Sequence, residues 1–327
     1  MDRSVDMDST YLAETFSTTY PILNAPMAGA AGGRLAAAVS SAGGLGMVGF
    51  GGDASPEWID RELAIAGESG RPWGVGLMAW TLKDDLAPLH RALHHGPALV
   101  SISFGDPRPA LDMVKEAGAV SAMQVGSQTE LNQALEYDAD IIVVRGAEGG
   151  GHGRNDVGTL PLLQLAVQNT SKPVLAAGGI ATANGVAAVL AAGAAGAWIG
   201  TRFTTVQESS MPGTAKAAIE RATMDNTVYT RSFDIAQKLD WPPQYGGRAV
   251  SNSFTDEWAD RPDELQKSLS SSGITERMRQ ARKSGDTEMA PVYAGQAAGL
   301  TRNGETAADV VTDLAGYRRL LAEAAAA

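Results

Sequence analysis

The chain has 327 residues, 44% of them hydrophobic, a formal net charge of −11 and no cysteine. Disulfides, thiolate metal sites and cysteine nucleophiles are thereby excluded, and an acidic balance without a basic stripe argues against nucleic acid as a partner. No apolar run reaches the roughly 18 residues of a membrane span, the N-terminal MDRSVDMDST is too acidic for a signal or transit peptide, and AEAAAA ends the chain without a lipidation signal. A cytoplasmic protein with no membrane partner is the expectation.

Residues 21–26 (PILNAP) predict a first strand, and a Gly/Ala-rich helix follows over 32–42. A second strand covers 45–48. Ser55 and Pro56 then open a helix over 56–67, as N-cap and first helical residue. Strands over 73–79, 98–103, 119–125 and 140–144 alternate with helices over 84–95, 109–117 and 128–137. A long glycine-rich loop, 145–158, leads to a helix around 161–168. Strand 174–177, an Ala-rich helix over 183–192 capped by Thr182 or Asn184, and strand 197–199 bring the count to eight. Continuously apolar strands at βα spacing suit a parallel sheet buried on both faces, so the expected fold is a (β/α)8 TIM barrel. After Thr201 the pattern breaks. Residues 215–222 read as a helix, 227–233 as a strand, 240–247 (DWPPQYGG) as a rigid turn and 260–283 as two polar helices. Residues 212–288 are expected to form a smaller inserted lid domain after strand 8. The barrel then comprises 1–211 and 289–327, with 305–322 as its closing helix.

The densest signal is KPVLAAGGIATANGVAAVLAAGAAGAWIGTRF, residues 172–203. Two successive strands each end in glycine, at Gly178-Gly179 and at Gly200-Thr201. Glycine lets backbone N–H groups approach an anion, and a helix N-terminus adds partial positive charge. Two tight turns are the blander alternative, but their separation by one βα repeat matches the usual barrel phosphate site after strands 7 and 8.

Residues just past the strands are mostly apolar: Met27, Phe50, Leu77, Met78 and Phe104, with Gln124 and the 145–154 loop. No carboxylate pair, lysine cluster or metal-ligand set stands among them. An apolar mouth with a phosphate clamp suits a flat cofactor that brings its own reactivity. His152, in GAEGGGHGRND, is the one histidine of four on this face. Flanking glycines remove side chains around it, and a general-base role is expected. Glu148 either orients it or caps the next helix. His90 and His94 share a helix face without a third ligand, so no metal is expected.

The stretches YPILNAPMAGAAGGRLAAAVSSAGGLGMVG, SFGD, GAEGGGHG, AAGGIATANGVAAVLAAGAAGAWIGTRF and VYAGQAAG resemble the nitronate monooxygenase (2-nitropropane dioxygenase) family of FMN barrels. The resemblance implies FMN held near its ring by Met27 and Gln124 and at its phosphate by Gly178, Gly179, Gly200 and Thr201. It implies His152 as the base that removes the proton from the carbon bearing a nitro group. The nitronate is then oxidised with O2 to a carbonyl compound and nitrite. Ala25, Phe104, Arg145, Gly150, Gly151 and Gln296 are further positions expected beside flavin or substrate. Two residues depart from the family pattern, which usually has Gln at Arg145 and often Asn at Gly76. Arg145 is read as favouring an anionic substrate or flavin. FMN-dependent NADH:quinone reductases and flavin-type enoyl-acyl-carrier-protein reductases share the scaffold and remain alternatives, as does a non-redox phosphate-ligand binding barrel. A homodimer stays open.

Overall fold

The computed structural model describes residues 10–302 and 304–326, so nearly all of the acidic N-terminal stretch lies outside the described residues. Eight strands form one parallel sheet: β1 (Ile22–Asn24), β2 (Gly46–Gly49), β3 (Trp73–Met78), β4 (Leu99–Ser103), β5 (Val120–Val125), β6 (Ile141–Arg145), β8 (Val174–Ala177) and β9 (Gly196–Ile199). Their order is β1-β9-β8-β6-β5-β4-β3-β2. A parallel bridge from Leu23 to Leu45 brings the two ends together and closes the barrel. Nearly every strand position is buried, as a sheet filled inside and covered by helices outside requires. Leu23, Leu45, Met47, Leu99, Ile141, Val143, Leu175 and Trp198 share one apolar cluster. The helix Pro56–Gly67 starts as expected, with the Ser55 hydroxyl accepting from the Trp58 N–H. Thr182, rather than Asn184, caps the helix Ala183–Ala191.

A second sheet of three antiparallel strands joins distant parts of the chain. The strand β7 (Gly151–Gly153) lies in the loop after β6, and β10 (Thr227–Thr230) and β11 (Gly246–Val250) lie between residues 212 and 288. β11 is central, with Gly247 opposite His152. Both β7 and β11 fall where glycines suggested loop or turn. A Cβ at Gly246 would stand 2.8 Å from the Tyr229 ring, and one at Gly247 would stand 2.6 Å from the Tyr293 ring. These glycines make room for packed aromatics inside a sheet.

Other local expectations change too. The strand expected over 227–233 stops at Thr230, and Ser232–Gln237 is helical. A further helix, Ser253–Trp258, is opened by a capping box on Asn252. The single closing helix is two, Ala307–Leu314 and Tyr317–Ala326, divided at Ala315-Gly316. Its apolar face is as expected: Ala307, Val310, Val311, Leu314 and Tyr317 are buried in the main core, and Leu321 packs on its edge.

Candidate active site

A cavity of about 1370 Å³ opens over the strand ends. Its lining includes Ala25, Met27, Phe104, Gln124, Arg145, Gly150, Gly151, His152, Gly178, Gly179, Gly200 and Thr201. Sequence positions spread over most of the chain thus meet in one space. Gln296 does not belong to it. Gly295 and Ala297 line the cavity, while the Gln296 side chain is exposed and its N–H donates to the Glu148 carbonyl. In the short helical segment Gln296–Leu300, Ala297 and Ala298 are buried while Gln296 faces outward.

Part of the cavity's lining is backbone at the ends of β8 and β9. Gly178 and Gly179 have φ of +106° and +72°, conformations that side chains rarely adopt. The N–H groups of Gly178, Gly179, Gly200 and Thr201 have no acceptor among the described residues. Gly200 and Thr201 begin the short helix Thr201–Thr204. A Cβ at Gly200 would make ordinary contact with the Met27 sulfur at 3.5 Å. The Thr201 hydroxyl accepts from the Gly295 N–H at 2.9 Å, tying the returning chain to this lining. Free N–H groups beside a helix start are the kind of group that anion sites use.

Another part of the lining is built around His152. Its Nε2 lies 2.9 Å from Asp234 Oδ1, and the Asp234 side chain is only 1% exposed. The Trp241 ring stacks on the imidazole at 3.7 Å between centroids and 2° between planes. Tyr293 approaches at 5.2 Å. Burial and the Asp234 carboxylate push the Tyr293 phenol well above its ordinary range. Phe104, in the left-handed region at φ 69°, holds Trp241 and Tyr245 edge to face. Asp234 and Trp241 were invisible as site residues in the sequence. SFDIAQ has no motif, and the one available signal was a tryptophan in a proline-stiffened turn facing the mouth.

Arg145 is not an anion hook. Its guanidinium donates to the carbonyls of Gly149, Gly150, Gly151 and Arg154, and the residue is 3% exposed. Burial lowers its pKa to about 10, still charged at neutral pH. Cβ atoms at Gly149 and Gly153 would stand 2.7 and 2.5 Å from that guanidinium, and one at Gly150 would stand 2.4 Å from the Gly295 nitrogen. Most glycines around His152 therefore admit Arg145 and the returning backbone; Gly151, with φ +69° and open space, is the exception. Arg154 and Arg202, near the same strand ends, do not line the cavity. Arg154 pairs with Glu130, and Arg202 is buried on Glu305 and Asp313. Glu148 takes its blander role, accepting from the N–H and hydroxyl of Thr159 at the start of the next helix. The Gly76 departure is steric: a Cβ there would stand 2.3 Å from Pro26 Cγ.

Fold and site together define a barrel enzyme with unpaired backbone N–H groups and a carboxylate-linked histidine lining one cavity. The sequence model of the nitronate monooxygenase family matches residues 9–79 and 70–316, and the chain belongs to that family. It is 31% identical over 96% of its length to a nitronate monooxygenase of Neurospora crassa, covering 93% of that protein. It is 33% identical, over 69% of its length and 64% of the relative's, to a Mycobacterium tuberculosis protein named (3aS,4S,5R,7aS)-5-hydroxy-7a-methyl-1-oxo-octahydro-1H-indene-4-carboxyl-CoA dehydrogenase. Among solved structures, FabK from Thermotoga maritima superposes with a TM-score of 0.81 at 27% identity, over 97% of this chain and 99% of the other. The nitroalkane oxidase from Streptomyces ansochromogenes does so with 0.77 at 28% identity, over 96% and 99%. No helix among the described residues is long and apolar enough to cross a membrane.

Proposed function

We propose that this chain is a flavin-dependent oxidoreductase that binds FMN and oxidises alkyl nitronates with O2 to a carbonyl compound and nitrite. It accepts nitroalkanes where His152 can first remove the carbon-bound proton. The observation that carries this reading is the pairing, in one cavity, of an anion cradle with a carboxylate-linked imidazole in a chain of the nitronate monooxygenase family.

The residues fit a monophosphate flavin. Free N–H groups of Gly178, Gly179, Gly200 and Thr201 would hold the phosphate, and Met27 and Gln124 line the space above the strand ends for the ring. When bound, the flavin supplies the redox chemistry that passes electrons from nitronate to O2. The protein's own contribution is to hold the substrate beside the imidazole, accept its proton and keep water away. Residues 212–288 act as a lid in this reading, supported by Gln237, Leu239, Trp241 and Arg282, which line the cavity from that segment.

A second reading has specific support. Pockets for drug-sized ligands run to roughly 1,000 Å³, and a cavity of about 1370 Å³ has room for a flavin and a substrate far larger than a small nitroalkane. With the carboxyl-CoA dehydrogenase relative, this favours a flavin reductase or dehydrogenase acting on a large acyl thioester or a quinone. The deciding experiment has two steps. Heat-released cofactor from purified protein is identified by chromatography, with FMN expected. Oxygen uptake and nitrite release are then compared across nitronates, quinones with NADH, and enoyl thioesters. Nitronate turnover supports the first reading. Turnover confined to thioesters or quinones overturns it, and protein that retains no flavin overturns both.

A further inference from the structure

We propose that Asp234 is a positioning residue that holds neutral His152 as the Nε2–H tautomer, so that Nδ1 is the nitrogen that takes the substrate's proton. The proposal rests on the reading of His152 as a base and assigns which atom does the work.

The strand β7 fixes the backbone of His152 but not the rotation of its ring. Two contacts fix the ring, and both come from the segment inserted after the barrel. In the ring plane, Asp234 Oδ1 meets Nε2 at 2.9 Å. On the ring face, Trp241 lies parallel at 3.7 Å. A carboxylate only accepts hydrogen bonds, so Nε2 must donate; a neutral imidazole carries one N–H, so Nδ1 keeps its lone pair. Nδ1 has no hydrogen-bond partner among the described residues, and it is not one of the fully buried unpartnered atoms. It is therefore the ring nitrogen open to the cavity that His152 lines. Asp234 Oδ2 is buried without a partner. The buried Tyr293 phenol is the carboxylate's other neighbour, and Oδ1 makes the hydrogen bond to His152.

Proton transfer balances on these atoms. The substrate C–H bond breaks, Nδ1–H forms, and the C–H electron pair moves onto the nitro group to give the nitronate. No net redox change occurs. The imidazolium then donates from Nδ1 towards the nitronate and from Nε2 to Asp234, with its charge over the Trp241 face, an arrangement that favours a cation.

The first test is spectroscopic. Holoenzyme labelled with ¹⁵N-histidine is examined by long-range ¹H–¹⁵N correlation, with His152 assigned by its loss in His152→Asn. A protonated Nε2 and an unprotonated Nδ1 are expected in the neutral ring. The opposite tautomer, or an even mixture, overturns the proposal. The second test is Asp234→Asn, whose amide can donate to Nε2 and invert the tautomer, as the equivalent change does in serine proteases. It should lower kcat on a nitroalkane by about 10²–10³-fold, at nearly constant KM, with less than roughly threefold effect on the preformed nitronate. Equal loss on both substrates, with flavin content intact, indicates a merely structural Asp234 and overturns the proposal, as does no loss on either. If the variant fails to fold, the wild-type tautomer decides alone. Should His152→Asn itself leave nitroalkane turnover unchanged, it is the base reading that fails, whatever the tautomer.

Discussion

The proposed anion cradle and the proposed base line the same cavity, yet they are assembled in opposite ways. The cradle is closed within one βα repeat, from Gly178 to Thr201, by backbone groups at the ends of the neighbouring strands β8 and β9. The base end is a side-chain assembly in which His152 meets Asp234 across 82 positions, with Trp241 and Tyr293 from still further on. The strand pairing of β8 and β9 involves no residue of 212–288, whereas the His152 ring is contacted by Asp234 and Trp241 of that segment. Damage to the cradle should remove the cofactor and spare the fold. Damage to the base end should spare the cofactor and remove one step.

The largest expected effect isolates that step. His152→Asn should slow nitroalkane turnover by roughly 10²–10⁴-fold, the usual worth of a positioned base, and leave preformed nitronate nearly untouched. Parallel assays at equal flavin content check it, and equal losses would show that His152 serves binding instead. At the cradle, Gly179→Asp places a carboxylate within a few ångströms of the phosphate. Like-charge repulsion of about 4 kcal/mol at an effective dielectric of 20 predicts roughly a thousandfold weaker flavin retention, measured by equilibrium dialysis. Gly179→Ala is the control. Its Cβ has ordinary contact space, 3.5 Å from Glu148 Cβ, so only the backbone strain of roughly 1–2 kcal/mol applies.

A third variant asks whether the cradle's support is separable from the base. Glu305→Ala leaves the buried Arg202 guanidinium with Asp313 as its remaining partner. Loss of a buried ion-pair partner costs about 3–5 kcal/mol. Denaturant unfolding should report that loss, while the nitroalkane-to-nitronate rate ratio stays constant. The smallest effect concerns mobility. Amides of the helices Pro262–Ser268 and Ile274–Ser284 should exchange faster than those of β5 or β8, and slow when a substrate analogue binds. Uniform protection, unchanged by ligand, would argue against a lid.

The same contrast explains what could be read from the chain. The barrel strands and the glycine cradle were legible because apolar runs, helix starts and glycine turns are local signals, and Val174–Ala177 ends where its glycines say it must. His152 stood out by its glycine neighbours, although three of those glycines turned out to accommodate Arg145 and a crossing backbone. Arg145 misled because a buried guanidinium satisfied by four carbonyls looks in sequence like any other cation near a mouth. Asp234 and Trp241 were missed because no short-range pattern marks a residue whose partner lies in a strand some 80 positions away.

That shared sheet bears on how such enzymes can be recombined. β7 belongs to the loop after β6, while its hydrogen-bonding neighbour β11 belongs to the later segment. Arg248 of β11 also donates to Ala147 and Asn155 of the same loop. A chimera that exchanges residues 212–288 alone would splice a foreign β11 against a native β7, with Gly247 no longer guaranteed opposite the histidine. The transferable module is discontinuous: the histidine loop, the later segment and the Tyr293 return have to travel together if a grafted specificity is to arrive with a working base.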